Sequence, residues 1–340
     1  MKVWSEKGLG RFLVKKCVRM AVLVFLVSFS AFMLVSLSPI DPLTANVGQT
    51  AMGSMSPEQI GKLEAYWGVG TPPIKRFLSW AGDFFQGEMG TSLLYRQPVA
   101  AVIKERFANS IGLMAVAWVI SGGLGFGLGI WAGAKRGSAV DRILSLYALT
   151  MASIPAFWLA LMLLMVFAVK LSWLPVGFSV PIGIESKAVT FADRFRHAIL
   201  PATALSLTGI SSIMLHTREK MIQVMESDYV LYARARGESF RRIVWRHGLP
   251  NVMLPALTLQ FGAISEIFGG SVLVEQVFSY PGLGQAAVTA GLGGDVPLLL
   301  GITVISSVIV FGGNMTADLL CVAADPRLRQ KTGGRKGQTG

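Results

Sequence analysis

The sequence predicts an all-α polytopic membrane protein with six transmembrane helices, and three observations carry that expectation. Of the 340 residues 52% are hydrophobic and only 15% are charged, well below the roughly 25% charge of a soluble domain. Apolar runs recur at 20–40, 107–134, 143–169, 197–217, 248–274 and 296–317, and a single acidic residue, Glu266, interrupts them. A bilayer core about 30 Å thick takes roughly 20 helical residues at 1.5 Å each, so every run is long enough to cross. Backbone groups in lipid must be satisfied internally, which makes the crossings helices. Finally, the charge is one-sided. An even number of crossings puts both termini on one face, where 21 of the 31 Lys and Arg residues fall with eight acidic ones; the opposite face carries ten of each. The excess marks the cytoplasmic face, so the pI near 10.0 reflects topology and does not point to nucleic acid.

The basic arm 1–19 leads into the first run. At about 21 residues that run exceeds the 7–15 residue apolar stretch of a cleaved leader. It ends in Ser38-Pro39-Ile40-Asp41-Pro42 and is expected to remain as an anchor. Cys17 and Cys321 both fall at the cytoplasmic edge, where thiols stay reduced; neither belongs to a metal-binding spacing.

The outer segment 41–106 is too long for a plain connection. Ser56-Pro57-Glu58-Gln59 reads as an N-cap, a first-turn proline and a capping-box glutamine, starting a short helix to about Trp67. After Pro72-Pro73, the residues Ile74, Phe77, Leu78, Ala81, Phe84 and Phe85 keep the spacing of an amphipathic helix. It could lie on the membrane surface, dock a partner, or cap the outer ends of the bundle. In the second run, Gly123/Gly127, Gly125/Gly129 and Gly129/Gly133 are small-xxx-small pairs, predicting a close helix–helix seam within the chain or with a partner. Pro155 predicts a kink in the third run.

Between the fourth and fifth runs, residues 218–247 are strongly basic. Asp228 to Arg236 is helix-prone and stops at Gly237, a residue suited to a helix C-terminus. A second short amphipathic piece, from Phe240 to Trp245, leads to Leu249-Pro250-Asn251. Two short helices bent about a glycine form a shape suited to docking another protein, although a plain positive-inside loop would share the charge. This segment resembles the coupling loop of ABC importer permeases, whose pattern is Glu-Ala-Ala, three residues, Gly, nine residues, Ile, one residue, Leu-Pro. Ala233, Gly237 and Leu249-Pro250 match it; Leu231, Tyr232 and His247 depart from it. The departures follow the looser Tyr-xxx-Ala-Arg-xx-Gly form (Tyr229, Ala233, Arg234, Gly237) of the dipeptide/oligopeptide/nickel permeases. Trp173-Leu174-Pro175, His197-Ala198-Ile199-Leu200-Pro201, the stretch from Glu275 to Gly284, and Ala324-Asp325-Pro326-Arg327-Leu328-Arg329 agree as well. The long outer segment resembles that of the first permease subunit in such systems.

The resemblance implies a MetI-like type I importer core in residues 107–317, multi-pass in the inner membrane, with segment 41–106 periplasmic and both the arm 1–19 and the tail 318–340 cytoplasmic. It implies a second permease subunit, two cytoplasmic ATPase subunits and a solute-binding protein as partners. Tyr229, Ala233, Arg234, Ala235, Gly237, Leu249 and Pro250 would form the ATPase-coupling site. ATP would be bound by the partners, with no cofactor and no catalysis in this chain. Consistently, the sequence has no GxxxxGK[ST] phosphate loop: Gly61-Lys62 has Ser56 where the first glycine should stand and Leu63 after it.

Glu266 is the candidate pathway residue. A charge at mid-span costs roughly 2.5–3.5 kcal/mol on insertion scales and usually faces a cavity, although a capped or protonated glutamate satisfying a neighbour would also fit. Ser265-Glu266-Ile267-Phe268-Gly269-Gly270 resembles the nickel-permease pattern Gly-Glu-Leu-Ile-Gly-Gly, and a carboxylate suits a divalent ion. That sets nickel, free or chelated, slightly ahead of di- or oligopeptides. His197, His216 and His247 stand at run ends, and Met214 and Met253 read as packing residues, so no ligand cluster supports a metal site. An ion-coupled secondary transporter, which would favour paired intramembrane charges, and a membrane anchor for a cytoplasmic complex are the alternatives from other classes.

Overall fold

The computed structural model describes residues 6–37, 53, 55–67, 70–181, 183 and 188–324. The motif at 325–329 and the turn at 38–42 lie outside the described residues. Regular structure among the described residues is helical apart from an isolated bridge between Thr91 and Pro98. Among the described residues four helices are long and apolar enough to cross a bilayer, and two bent pairs raise the number to as many as six. Five of the six apolar runs fall on these elements, and so does the first as far as Ser36.

The chain divides into two compact units. The smaller contains Cys17–Ser110 and Pro281–Ile309. The first helix, α1 (Glu6–Ser36), starts inside the basic arm, so the described part of the arm and the first crossing are one continuous helix. Helix α2 (Pro57–Trp67) opens on the expected capping box: the Ser56 N–H donates to Gln59 Oε1 at 3.0 Å, and the Gln59 N–H donates back to Ser56 Oγ at 3.3 Å. In α3 (Pro73–Phe85) the amphipathic face is only partly used. Phe77 is buried against Phe25, Phe29 and Phe32 of α1, with ring centroids 5.3 to 5.7 Å away. Ile74, Leu78 and Phe85 stay exposed. This packing ties α3 to the first crossing.

Helix α4 (Val99–Ala134) begins a full two turns before the apolar run does. The smaller unit also holds a helix that the apolar pattern leaves inside an outer loop, Leu283–Leu292. Its Leu283, Ala286 and Ala290 bury against Val99, Val102, Ile103 and Leu298. The buried Asp295 carboxylate accepts from Ser92 Oγ at 2.5 Å, from the Leu94 N–H at 3.1 Å and from the Leu298 N–H at 3.2 Å. It thus caps the following helix, Val296–Ala324, while pinning the 92–94 turn to its start.

The larger unit comprises Ile111–Tyr280 with Met1–Lys16 and Val310–Gly340. After α4 come α5 (Ala139–Ser153) and α6 (Ala156–Leu163), the latter continued by a wide helical segment, Leu164–Lys170. The expected kink at Pro155 is a 102° break. The residue before a proline is driven out of helical backbone, and Ile154 is extended at φ −96°, ψ 124°. Helix α7 (Phe191–Met225) follows. At 1.5 Å per residue it is about 52 Å long, far more than the hydrocarbon layer needs, so the first eight residues of the expected coupling loop 218–247 are helix, not loop. Next come α8 (Asp228–Ala235), α9 (Phe240–Ile243), a wide turn at Val244–Gly248, and α10 (Leu249–Gly262). Helix α11 (Ile264–Val277) completes the fifth run at a 42° bend. The glycine seam closes within the chain: a Cβ on Gly125, Gly129 or Gly133 would stand 2.6–2.8 Å from Ile213, Thr217 or Met221 of α7. Gly123 and Gly127 face open space.

Candidate functional site

The elbow between α7 and α10 has an anchored side and an outward side. Asp228 opens α8 and Arg234 closes it, each at the helix end whose dipole favours its charge. Gly237 then reverses the chain at φ +79°. Its N–H donates to Arg234 O at 2.9 Å while the Glu238 N–H donates to Ala233 O at 3.1 Å, the paired bonds of a Schellman turn. Underneath, Val230, Ala233 and Ile243 are buried with Met221, Met225 and Val252. Outward stand Leu231 and Tyr232, each 66% exposed, and Trp245, 70% exposed. Arg234, Arg236, Arg241, Arg242 and Arg246 are exposed around them, and Arg236 lies 5.8 Å over the Tyr232 ring.

The seven residues expected at the coupling site therefore divide by role. Tyr229, Arg234 and Ala235 are exposed, as a docking contact requires. Ala233 is buried and holds α8 down, so a larger side chain there would lift the helix off its base. Gly237 supplies the turn. Leu249 is partly buried, and Pro250 is exposed in the first turn of α10, where its missing N–H costs no helical bond.

The sequence pattern does not reveal the groups that fix the root of this elbow. Arg218 donates to both oxygens of Asp141 at 2.5 and 2.9 Å. Asp141 is 5% exposed and also accepts from the Gly137 N–H at 2.9 Å. Arg136 pairs with Glu226, at the end of α7 and two residues before α8. These pairs tie the end of α7 to the α4–α5 turn. Their only sequence signal is opposite charge at two run ends, which does not say who meets whom.

Glu266 lies in the first turn of α11, three residues past the break at Ala263. A carboxylate is favoured there by the helix N-terminus. Glu266 is exposed and lines a cavity of about 360 Å³ together with Thr208, Ser212, Gly209, Ile154 and Gly270. Thr208 and Ser212 stand one turn apart on α7, so the polar wall around Glu266 comes from two helices. The bend at Ala263 and the charge at Glu266 line the same cavity.

The remaining candidates are structural. His197 Nδ1 is 2.7 Å from Gly177 O, and the Phe178 N–H donates to Phe278 O at 2.8 Å. A Cβ on Gly177 would collide with that same carbonyl. Three separated stretches, the one after Trp173-Leu174-Pro175, the one from His197 and the one from Glu275, thus meet at one point. Burial, helped by the Glu275 carboxylate, raises the neighbouring Tyr280 phenol above its usual range. His216 Nδ1 lies 3.0 Å from Ser212 O. Met214 is buried and Met253 is exposed. Gln260, which no pattern singles out, exchanges hydrogen bonds with Trp118: the indole donates to Gln260 O at 2.8 Å, and Gln260 Nε2 donates to Trp118 O at 2.6 Å.

The family described as binding-protein-dependent transport system inner membrane component matches residues 125–330. The oligopeptide transport system permease protein AppB of Bacillus subtilis is 33% identical over 305 residues, covering 89% of this chain and 94% of that protein. A probable peptide ABC transporter permease protein, y4tP of Sinorhizobium fredii, is 30% identical over 321 residues, 94% of this chain and 100% of its own length.

Proposed function

The chain belongs to the inner-membrane component family of binding-protein-dependent transport systems as an ABC importer permease, and from that premise we propose that it passes peptides through the inner membrane while separate ATPase subunits grip its α8–α9 elbow. One observation carries the docking: α8 is anchored on one face by Val230 and Ala233 and presents Tyr229, Leu231, Tyr232 and Arg234 on the other. A short helix held this way moves with its base. A partner that grips it differently in two nucleotide states therefore shifts the permease between two conformations, and one that grips it equally shifts nothing. In this reading Tyr229, Arg234 and Ala235 touch the ATPase, while Ala233, Gly237, Leu249 and Pro250 keep the elbow in shape. ATP hydrolysis stays with the partners.

Glu266, with Thr208 and Ser212, lines the pathway, at a cavity completed by a second permease. The one-sided positive charge supports a cytoplasmic elbow with both termini on that face, and a solute-binding protein delivers from the other. Peptides rather than nickel are favoured by the names of AppB and y4tP; a carboxylate set among hydroxyls suits an ammonium group as well as a metal ion. The same comparisons disfavour an ion-coupled transporter or a plain anchor.

The test is reconstitution of the whole importer in vesicles, with uptake of a labelled peptide and of radioactive nickel measured side by side. Peptide uptake that needs ATP, the ATPases and the binding protein, and that falls with Glu266→Gln, is the expected result. Uptake by this chain alone would overturn the docking. Nickel uptake without peptide uptake would overturn the solute, and indifference to Glu266→Gln would remove that residue from the pathway.

A further inference from the structure

Two polar atoms face each other inside the elbow without a hydrogen bond. Glu238 directly follows Gly237, and its backbone is fixed by the turn bond to Ala233 O. His247 lies on the wide turn Val244–Gly248 that feeds α10. Asn251 Nδ2 donates to His247 O at 2.7 Å, fixing that backbone to the first turn of α10. Between these two fixed points, His247 Nε2 and Glu238 Oε2 stand 3.5 Å apart. Both atoms are sealed from solvent, and neither has a hydrogen-bond partner. The Tyr229 ring centroid lies 6.2 Å from that of the imidazole. A separation of 3.5 Å is too long for a good hydrogen bond, yet a buried oxygen and ring nitrogen left open are costly. A few tenths of an ångström of movement would satisfy both.

We infer that Glu238 and His247 are positioning residues that form a polar strut carrying displacement of α8 to α10, the protonated Nε2 donating to the carboxylate when the elbow is gripped. The inference rests on the docking reading above. The buried cluster beneath α8 is apolar and non-directional, so its contacts tolerate sliding. A charge-assisted hydrogen bond is short and directional, and one between two backbone-fixed ends resists sliding. Its far end continues along α10 to the break at Ala263, three residues before Glu266. The strut therefore joins the gripped surface to α10, the helix that leads across the break into α11 and its pathway carboxylate. His247 itself sits on the wide turn Val244–Gly248, a departure from regular helix of the kind often found at functional positions.

The experiment uses the complete importer in vesicles and reads three quantities: ATPase subunits retained on purification, ATP hydrolysed, and peptide transported per ATP. His247→Leu and Glu238→Met each remove one end while keeping bulk. Both should retain the ATPases and lower transport per ATP roughly five- to tenfold, the lower range of site-to-site couplings. The double variant should be no worse than either single one, because the strut is already broken. His247→Gln, whose amide can still donate to the carboxylate, should recover most of the ratio. A merely structural role would lower assembly, hydrolysis and transport together with the ratio unchanged; that result, or effects that multiply in the double variant, overturns the strut. If His247→Leu fails to accumulate, the comparison of Glu238→Met with His247→Gln decides by the same ratio. Loss of the ATPases from every variant and from the unaltered chain would instead count against the docking reading.

Discussion

Glycine is used in two unlike ways by the α4–α7 seam and by the elbow. At Gly129 the backbone is ordinary helix, and a Cβ would stand 2.6 Å from Thr217 Cβ and 2.7 Å from Met214 O. At Gly237 a Cβ would meet nothing within 4 Å, but the backbone sits at φ +79°. The seam needs the absence of volume, because helices surrounded by lipid gain stability from close approach and not from hiding apolar surface. The elbow needs conformational freedom. One position is constrained by what lies beside it and the other by its own dihedral angle, so substitutions at the two should fail in different ways.

The largest effect is expected at the seam. Gly129→Leu should leave little folded protein in the membrane, since the atoms it meets include backbone of α7 that cannot turn aside. Gly129→Ala should cost about 1–3 kcal/mol by overpacking, seen as a lower melting temperature of the detergent-solubilised chain by size-exclusion after heating. A Gly129→Ala protein that melts with the unaltered one would mean the seam is looser than its distances imply.

Gly237→Val should behave differently. Left-handed backbone costs a non-glycine residue about 1–2 kcal/mol, enough to distort a turn and too little to unfold the chain. Melting and ATPase retention should hold while transport per ATP falls. Gly237→Asn, which tolerates that backbone, should transport close to normally. If valine and asparagine act alike, the dihedral is not what matters there.

Asp141→Asn is expected to lower transport per ATP less than Gly237→Val does, although it costs more stability. It leaves one oxygen for Arg218 but removes the charge from a nearly buried pair, and hydrogen bonds to charged groups are worth about 1.5–3 kcal/mol. Because this pair roots α7 beside the elbow, part of that loss should appear as reduced transport per ATP, beyond any drop in melting temperature. A fall in stability alone would confine Asp141 to packing.

Much of this division is legible in the amino-acid sequence alone. The apolar runs, the capping box at Ser56 and the turn at Gly237 are each written in consecutive residues, and local backbone physics reads them directly. The break at Pro155 reads there only as a kink, since sequence gives the forbidden helical angle at Ile154 but not the direction the next helix takes. Helix Leu283–Leu292 escapes notice because ten residues without charge or a strong cap look like a loop. Asp141–Arg218, Trp118–Gln260 and the meeting of Gly177 with Phe278 are invisible for another reason: each joins residues at least 77 positions apart, and one chain carries no record of who pairs with whom. The seven coupling residues follow from a pattern, but the pattern does not separate buried Ala233 from exposed Arg234. That distinction requires the cluster beneath α8.

The smallest expected effect lies on the other face of α4. Gly123 and Gly127 form a small-xxx-small pair as good as Gly125 and Gly129, yet neither would meet anything within 4 Å if given a Cβ. In the isolated chain, Gly127→Ala should therefore be neutral or slightly stabilising, by up to about 1 kcal/mol, since alanine favours helix over glycine. The same substitution in the assembled importer separates two causes for the stripe. Unchanged co-purification of the second permease would mean that only the α7-facing glycines are selected for lack of volume. Lost co-purification with normal melting of the single chain would mean that a partner fills the open face as tightly as Thr217 fills the closed one, and α4 would then carry two seams of the same kind.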